Sequence, residues 1–291
     1  MSPDCRLTEI MSTDALPIGL GCSRLGSVNG ASGPEALAIL QAALDDGIRF
    51  FDTSNIYAQG DSERLLSQVL GGRDDVIVCS KAGKFLSWKK RTLVPLKGLL
   101  RGVARRSGQA RKGVASARAK PMPTRWDPAF LTASIDASLG RLKRERMEMF
   151  MLHSPDAEVV RRGEAVGALA AAAQAGKIGI VGVSVDDVAC AEACLQDPRV
   201  RAIQVPLHPG DTAFDAILAE ARGKGVAVIA REILGGPAAI SGASDPRTYA
   251  AERIAEVILR PDVTLTLVGT TRLANLTASV AAARAATESS A

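Results

Sequence analysis

The sequence predicts an α/β fold, a closed (β/α)8 barrel of the TIM-barrel type, formed by a single domain over residues 1–291. Short β-branched or apolar runs alternate eight times with Ala- and Leu-rich amphipathic stretches. Apolar runs such as DVIVCS are continuous rather than alternating, which is typical of strands buried on both faces. The chain has 291 residues, 47% of them hydrophobic, which is enough for one large core.

The eight units follow one another in the order strand, then helix. The first four are LPIGLGC with PEALAILQAALDDG, RFFDTSN with SERLLSQVLGG, DVIVCSKAG with DPAFLTASIDASLGRL, and MEMFMLHS with EAVGALAAAAQAG. The last four are GIVGVSV with VACAEACLQ, AIQVPLHP with FDAILAEARGKG, VAVIARE with RTYAAERIAEVILR, and LTLVGTT with LANLTASVAAARA. Strands joined by helical crossovers pair in parallel, and eight such units close into a barrel.

Helix boundary signals agree with these units. The pair Gly33-Pro34 opens the first helix, and Asp127-Pro128 places a capping residue before a first-turn proline. Glycines follow three predicted helix ends, at Gly47, Gly176 and Gly225. Local signals and the global pattern therefore predict the same elements.

The composition indicates a cytoplasmic protein. Five cysteines, an odd number without a CxxC pair, fit reduced thiols better than a disulfide framework. With only two histidines, no metal site is expected. The N-terminal residues lack a basic segment followed by an apolar run, and no stretch approaches the length of a membrane span. We therefore expect neither a signal peptide nor a membrane partner.

Positive charge is concentrated in an insert after the third predicted strand. Residues 84–125 contain thirteen Lys or Arg and no acidic residue, so the 23 basic and 31 acidic residues elsewhere leave a net charge of −8. This basic insert is either a solvated loop or a lid that an anion folds over the site. Its only aromatic residues are Phe85 and Trp88, so no nucleic-acid partner is expected.

Four polar residues stand where a parallel barrel carries its chemistry, at strand carboxyl ends and in the loops that follow. Asp52 ends RFFD, Lys81 ends VIVCSK, His153 ends MFMLH, and Tyr57 lies five residues after Asp52. Singly, each has a structural interpretation as a turn cap, a packing residue, a snorkelling cation or a core histidine. Together they predict a proton-transfer site, because a lysine held by a carboxylate can stabilise a phenolate.

Six motifs in order resemble the aldo-keto reductase family. GIRFFDTSNIYAQGDSERLL resembles the family signature, with Asp-Thr, a tyrosine five residues after that Asp, and Ser-Glu opening the next helix. SKAG, MLHSPD, GKIGIVGVS, AIQVP and LVGTT follow, so the resemblance covers nearly the whole chain. It implies an NAD(P)(H)-dependent oxidoreductase that transfers hydride between nicotinamide and a carbonyl or alcohol substrate, which is an aldehyde, a ketone or a sugar.

The same resemblance implies roles for the four strand-end residues. Tyr57 would be the general acid in reduction and the general base in oxidation, and Lys81 would lower its pKa. Asp52 would hold Lys81, and His153 would bind the substrate oxygen. An anionic substrate remains open, as does the alternative that the barrel binds nicotinamide nucleotide as a regulatory or sensor subunit with little catalysis.

The resemblance also implies a cofactor site. Ser184 and Gln204 would hold the nicotinamide carboxamide, and Arg231 would stack on the ring. Residues at the entry to the last helix would meet the phosphates: Gly269, Thr270, Thr271 and Arg272. Arg272 favours NADP through its 2′-phosphate, with NAD as the alternative. The chain departs from the family at Val185 and at Ala278-Ser279, which leaves fewer cofactor contacts.

Overall fold

The computed structural model describes residues 15–27, 30–85 and 122–289. Eight parallel strands form a closed barrel in chain order, with the last strand paired to the first. The strands are β1 (Ile18–Gly21), β2 (Phe50–Asp52), β3 (Ile77–Ala82), β4 (Met147–His153), β5 (Ile178–Ser184), β6 (Ala202–Pro206), β7 (Ala227–Arg231) and β8 (Leu265–Gly269). The predicted (β/α)8 barrel is confirmed.

Helices follow the strands around the outside of the barrel. In the described part of the chain they are α1 (Gly33–Asp45), α2 (Asp61–Leu70), α3 (Pro128–Leu142), α4 (Ala157–Arg162), α5 (Glu164–Gln174), α6 (Val188–Gln196), α7 (Asp215–Gly223), α8 (Gly236–Gly242), α9 (Pro246–Ile258) and α10 (Leu273–Glu288). The sequence did not predict α4 and α8, because helices of 6 and 7 residues are too short to show a clear helical period.

The predicted helix boundaries are also confirmed. The Asp127 carboxylate accepts a hydrogen bond from the Phe130 amide at 3.0 Å and so caps α3. Gly47, Gly176 and Gly225 all have positive φ, at 93°, 76° and 66°, which lets the chain leave the preceding helix through a left-handed turn.

The barrel interior is a compact apolar layer separate from the larger layer between strands and helices. Its buried members are Phe50, Ile77, Cys79, Met149, Met151, Ile180, Ala202, Ile229, Leu265 and Leu267. The layer is tightly filled, since a Cβ placed on Gly19 would lie 2.9 Å from the Phe50 ring. The interior is therefore a packed floor rather than a channel.

Strand periodicity positions the polar residues above this floor. Side chains two residues apart on a strand point to the same face. Five strands carry a polar side chain two residues after an apolar residue of the barrel interior: Asp52, Lys81, His153, Gln204 and Arg231. The carboxyl-terminal mouth of the barrel is therefore lined by the residues that the sequence singled out.

The basic insert begins and ends at this mouth. Lys84 and Thr124 form an antiparallel bridge, and the Arg125 amide donates to the Gly83 carbonyl at 2.8 Å. The two ends of the insert therefore lie side by side just beyond β3. Residues 86–121, and with them the alternatives of a solvated loop or a lid, lie outside the described residues. No described helix is both long enough and apolar enough to cross a membrane.

Candidate active site

A buried ion pair lies at the centre of the barrel mouth. The Lys81 ammonium is 2.5 Å from the Asp52 carboxylate, with side-chain exposures of 0% and 5%. Lys81 also donates to the Thr53 carbonyl at 3.0 Å. Burial alone would lower the pKa of Lys81, but the charge of Asp52 and the nearby Tyr57 phenol raise it above its ordinary value. The Lys81 ammonium therefore stays protonated although its side chain is fully buried.

Tyr57 stands beside this pair, at the start of a short 3₁₀ turn that runs from Tyr57 to Gly60. The Lys81 Nζ atom is 5.2 Å from the centre of the Tyr57 ring, and the His153 ring meets it edge-to-face at 5.8 Å. Burial raises the pKa of Tyr57 and the charge of Lys81 lowers it, with a net rise. Lys81 thus acts in the expected direction, but burial outweighs it, and the phenol is protonated at neutral pH.

The backbone after Tyr57 is strained. Ala58, Gln59 and Gly60 have φ values of 49°, 65° and 87°, so three consecutive residues are left-handed. The left-handed conformation costs about 1–2 kcal/mol for a residue with a side chain. The Gln59 Oε1 atom is also buried without a hydrogen-bond partner in the described structure. Such strain is typical of turns that hold a functional side chain.

His153 completes the group at the end of β4. Its Nδ1 atom lies 3.0 Å from the hydroxyl of Ser54, which is itself buried. Burial, together with the charges of Lys81, Lys84 and Arg231, lowers the pKa of His153 well below its ordinary value. The imidazole is therefore neutral and carries one ring N–H.

Ser184 and Gln204 form a buried polar pair on β5 and β6. The Ser184 hydroxyl donates to Gln204 Oε1 at 3.0 Å, and Gln204 Nε2 donates to the Asp52 carboxylate at 2.9 Å. A continuous hydrogen-bonded chain therefore links Lys81, Asp52, Gln204 and Ser184. Ser184 still has lone pairs free to accept, and Gln204 keeps one N–H free to donate.

Arg231 ends β7 and bridges to the end of β5. Its Nη2 donates to the Val185 carbonyl at 2.8 Å and to the Asp186 carboxylate at 2.5 Å, and its Nη1 pairs with the Glu232 carboxylate. Two carboxylates therefore flank this guanidinium. Glu232 has a φ of 60°, so the backbone is strained here too.

The entry to α10 lies on the same rim, directly after β8. The Arg272 amide donates to the Thr270 hydroxyl at 3.1 Å, which shapes the turn into the helix. Gly269 and Arg272 are exposed, and Thr270 and Thr271 are half-buried. Within the described structure the Arg272 guanidinium makes no ion pair, so this helix N-terminus is open to an anion.

The structure thus places all the predicted site residues on one rim and brings Asp52, Tyr57, Lys81 and His153 into one group. The sequence did not single out Ser54, Asp186 or Glu232. A signal existed for each, because Ser54 lies inside DTSNIY and the two acids lie within two residues of predicted strand ends. Among the described residues, no group of three or more His, Cys, Asp or Glu could hold a metal ion.

Comparison with known sequences points to one family. The profile of the aldo/keto reductase family matches residues 17–257. A 6-dehydroglucose reductase from Novosphingobium aromaticivorans is 29% identical over 178 residues, which cover 58% of this chain and 47% of that protein. An aldo-keto reductase from Bacillus subtilis is 28% identical over 184 residues, which cover 61% and 46% respectively. The chain thus spans about half the length of these relatives.

Three further matches are one short sequence match and two solved structures. A D-threo-aldose 1-dehydrogenase from a Pseudomonas species is 42% identical over 76 residues, 25% of this chain and 23% of that protein. A structure of a putative aldo-keto reductase from Pseudomonas aeruginosa superimposes with a TM-score of 0.72 at 22% identity, covering 93% of this chain and 91% of that one. An aldo/keto reductase from Klebsiella pneumoniae in complex with NADP and acetate has a TM-score of 0.66 at 21% identity, covering 92% and 86%. At these identities the structures show the shared fold.

Proposed function

The chain belongs to the aldo/keto reductase family, and we propose that it transfers hydride between NADP(H) and a carbonyl or alcohol substrate, with Tyr57 as the general acid and base. The observation that carries this proposal is the buried ion pair of Lys81 and Asp52 beside the Tyr57 ring, which the His153 ring also meets edge-to-face. A buried ion pair is weak evidence for stability alone, because desolvation offsets much of its attraction. Its position beside a phenol gives it a chemical use.

In reduction, Tyr57 donates its phenolic proton to the substrate oxygen, and the phenolate that remains faces the Lys81 ammonium. Asp52 keeps Lys81 charged and oriented throughout. His153 is neutral and donates a hydrogen bond to the same oxygen, which stabilises the negative charge that develops there. In oxidation the Tyr57 phenolate takes the proton from the alcohol. The nicotinamide cofactor, when bound, supplies or accepts the hydride.

The residues at the mouth fit a nicotinamide nucleotide. Ser184 offers an acceptor and Gln204 a donor next to each other, which matches the donor and acceptor of a primary carboxamide. The Arg231 guanidinium is only 17% exposed and is held by Asp186 and Glu232, which supports its assignment as the group that stacks on the nicotinamide ring. On the rim after β8, the exposed N-terminus of α10 favours binding of the phosphates of the nucleotide.

Arg272 supports NADP over NAD. Its exposed guanidinium, without an ion-pair partner in the described structure, can pair with a 2′-phosphate, which NAD lacks. The Klebsiella pneumoniae relative binds NADP, which agrees with this choice. The names of the similar proteins, a 6-dehydroglucose reductase and an aldose dehydrogenase, favour sugars among the candidate substrates. Cations of Lys84 and Arg231 near His153 keep an anionic substrate among the candidates.

The test is a screen for NADPH consumption against aldehydes, ketones and oxidised sugars, paired with NAD(P)⁺-dependent oxidation of aldoses. Each positive is repeated with NADH and with a Lys81→Met variant. The proposal predicts turnover of at least one substrate class and its loss in the variant. Tight NADPH binding without turnover of any panel member would instead support a regulatory or sensor barrel.

A further inference from the structure

The two ring nitrogens of His153 have different surroundings. Nδ1 is 3.0 Å from the Ser54 hydroxyl oxygen, whereas Nε2 has no hydrogen-bond partner among the residues that the structure describes. Because His153 is neutral, one of these nitrogens carries a proton and the other carries a lone pair. Which nitrogen is protonated decides whether Nε2 can donate to a carbonyl oxygen or can only accept.

The hydroxyl of Ser54 has one proton and three acceptors around it. They are His153 Nδ1 at 3.0 Å, the Asn55 side-chain oxygen at 3.2 Å and the Lys81 carbonyl at 3.3 Å. Hydrogen bonds between a hydroxyl and an oxygen acceptor usually span about 2.5–3.0 Å, so both oxygen contacts are long. The Lys81 carbonyl also already accepts from the Asn55 amide at 3.1 Å.

The remaining contact of the hydroxyl is with a donor. The Ile56 amide points to the Ser54 oxygen at 3.5 Å, which occupies one of its lone pairs weakly. The hydroxyl is buried, so water does not offer an alternative acceptor. The best-placed destination for its proton is therefore Nδ1 of His153.

We propose that Ser54 is a positioning residue, which donates its hydroxyl proton to His153 Nδ1 and so fixes the tautomer protonated at Nε2. The role of that tautomer in catalysis rests on the proposed function, since a carbonyl oxygen needs a donor at Nε2. The assignment of the tautomer itself does not. Ser54 touches neither substrate nor cofactor in this scheme, and it acts only through the imidazole.

The test uses nitrogen NMR of the full chain labelled with ¹⁵N-histidine. The chain has only two histidines, His153 and His208, and His208 is about half exposed, so a His208→Gln variant assigns the two sets of signals. Long-range ¹H–¹⁵N correlations show which ring nitrogen is protonated. We expect wild-type His153 to carry its proton on Nε2, and a signal from protonated Nδ1 would overturn the proposal.

Two variants separate this role from a structural one. Ser54→Ala should give a mixture of tautomers and lower kcat for carbonyl reduction about tenfold or more, with NADPH affinity unchanged. Ser54→Thr, which keeps the hydroxyl, should restore both the single Nε2-protonated tautomer and the wild-type kcat. A pure Nε2–H signal together with wild-type kcat in Ser54→Ala would overturn the proposal. Should Ser54→Ala fail to fold, the wild-type spectrum decides alone.

A matched control removes a different buried serine hydroxyl. Ser62 donates to the Cys22 carbonyl at 3.1 Å and contacts the Thr53 hydroxyl, away from His153. Ser62→Ala should leave the tautomer of His153 unchanged. The outcomes also separate this proposal from the proposed function: protonated Nδ1 in an active reductase refutes only the tautomer, whereas protonated Nε2 in a protein without turnover refutes only the function.

Discussion

The buried pair of Lys81 and Asp52 predicts an unusually costly substitution, Asp52→Asn. The variant keeps the shape of the side chain but leaves a fully buried ammonium without its counter-ion. Removing one partner of a buried pair costs about 3–5 kcal/mol of unfolding free energy. For 291 residues, an unfolding entropy of about 2.1 cal/mol/K per residue converts this into a melting temperature lower by about 5–8 °C.

A matched pair on the surface gives the control. Lys177 and Asp136 are also 2.5 Å apart, but their side chains are 38% and 51% exposed. Because solvent screens that pair, Asp136→Asn should cost only about 0–1 kcal/mol. Thermal and urea unfolding of both variants at neutral pH compare the same chemistry in two environments. Equal losses of unfolding free energy would refute the view that burial makes the pair of Lys81 and Asp52 costly to break.

The pH dependence of the Asp52→Asn loss adds a second readout. In the wild type the pKa of Lys81 is higher in the folded state than in the unfolded state. The contribution of Lys81 to the free energy of unfolding is therefore fully present below the pKa of the unfolded state and is lost only above it. In the variant, burial is no longer opposed and should lower that pKa. The variant should therefore gain stability as pH rises towards the unfolded lysine value of about 10.4, and the gap to wild type should narrow. A gap that widens over this range would contradict the argument.

Three further predictions follow from the rim and the strained turn. Arg272→Ala should weaken the binding of NADPH about 10- to 100-fold more than that of NADH, measured by fluorescence titration. Equal weakening of both nucleotides would show that Arg272 does not select the 2′-phosphate. Gln59→Gly should raise the unfolding free energy by about 1 kcal/mol, because glycine adopts the left-handed backbone without strain and the buried unpaired oxygen is removed. As a control, Gln68→Gly within α2 should lower the unfolding free energy by about 1 kcal/mol. A raised pKa of Tyr57 predicts that the reduction rate stays level through neutral pH and falls only above the ordinary tyrosine pKa, while oxidation rises with pH; a reduction rate that already falls at neutral pH would contradict it.

The fold could be predicted from the sequence because strand and helix periodicities, caps and glycines agree along the chain. Side chains two residues apart on a strand share a face, so the alternation that buries Phe50 and Cys79 inside the barrel also directs Asp52 and Lys81 to its mouth. The site residues at strand ends therefore followed from the strand pattern in the sequence. The contacts between them did not follow. Arg231 and Glu232 are neighbours in sequence, but the contact of Arg231 with Asp186 depends on how β5 and β7 lie on either side of β6, which no local pattern encodes.

The environment of the side chains could not be predicted from the sequence either. The expectation that Lys81 lowers the pKa of Tyr57 considered charge but not burial, and burial has the larger effect. The contact between Ser54 and His153 joins residues 99 positions apart, so it appears only once β2 and β4 are placed in the barrel. The strained turn after Tyr57 was also missed, since Ala58 and Gln59 are not residues that usually adopt positive φ.

Single-turnover reduction with NADPH deuterated at the transferred position tests the central claim most directly. With a carbonyl substrate from the screen, wild-type protein should place deuterium on the carbinol carbon of the product. Tyr57→Phe should bind NADPH with unchanged affinity but transfer the label about a hundredfold more slowly or worse, because it lacks the proton donor. Deuterium transfer at the wild-type rate in Tyr57→Phe, or wild-type product without deuterium, would contradict the account.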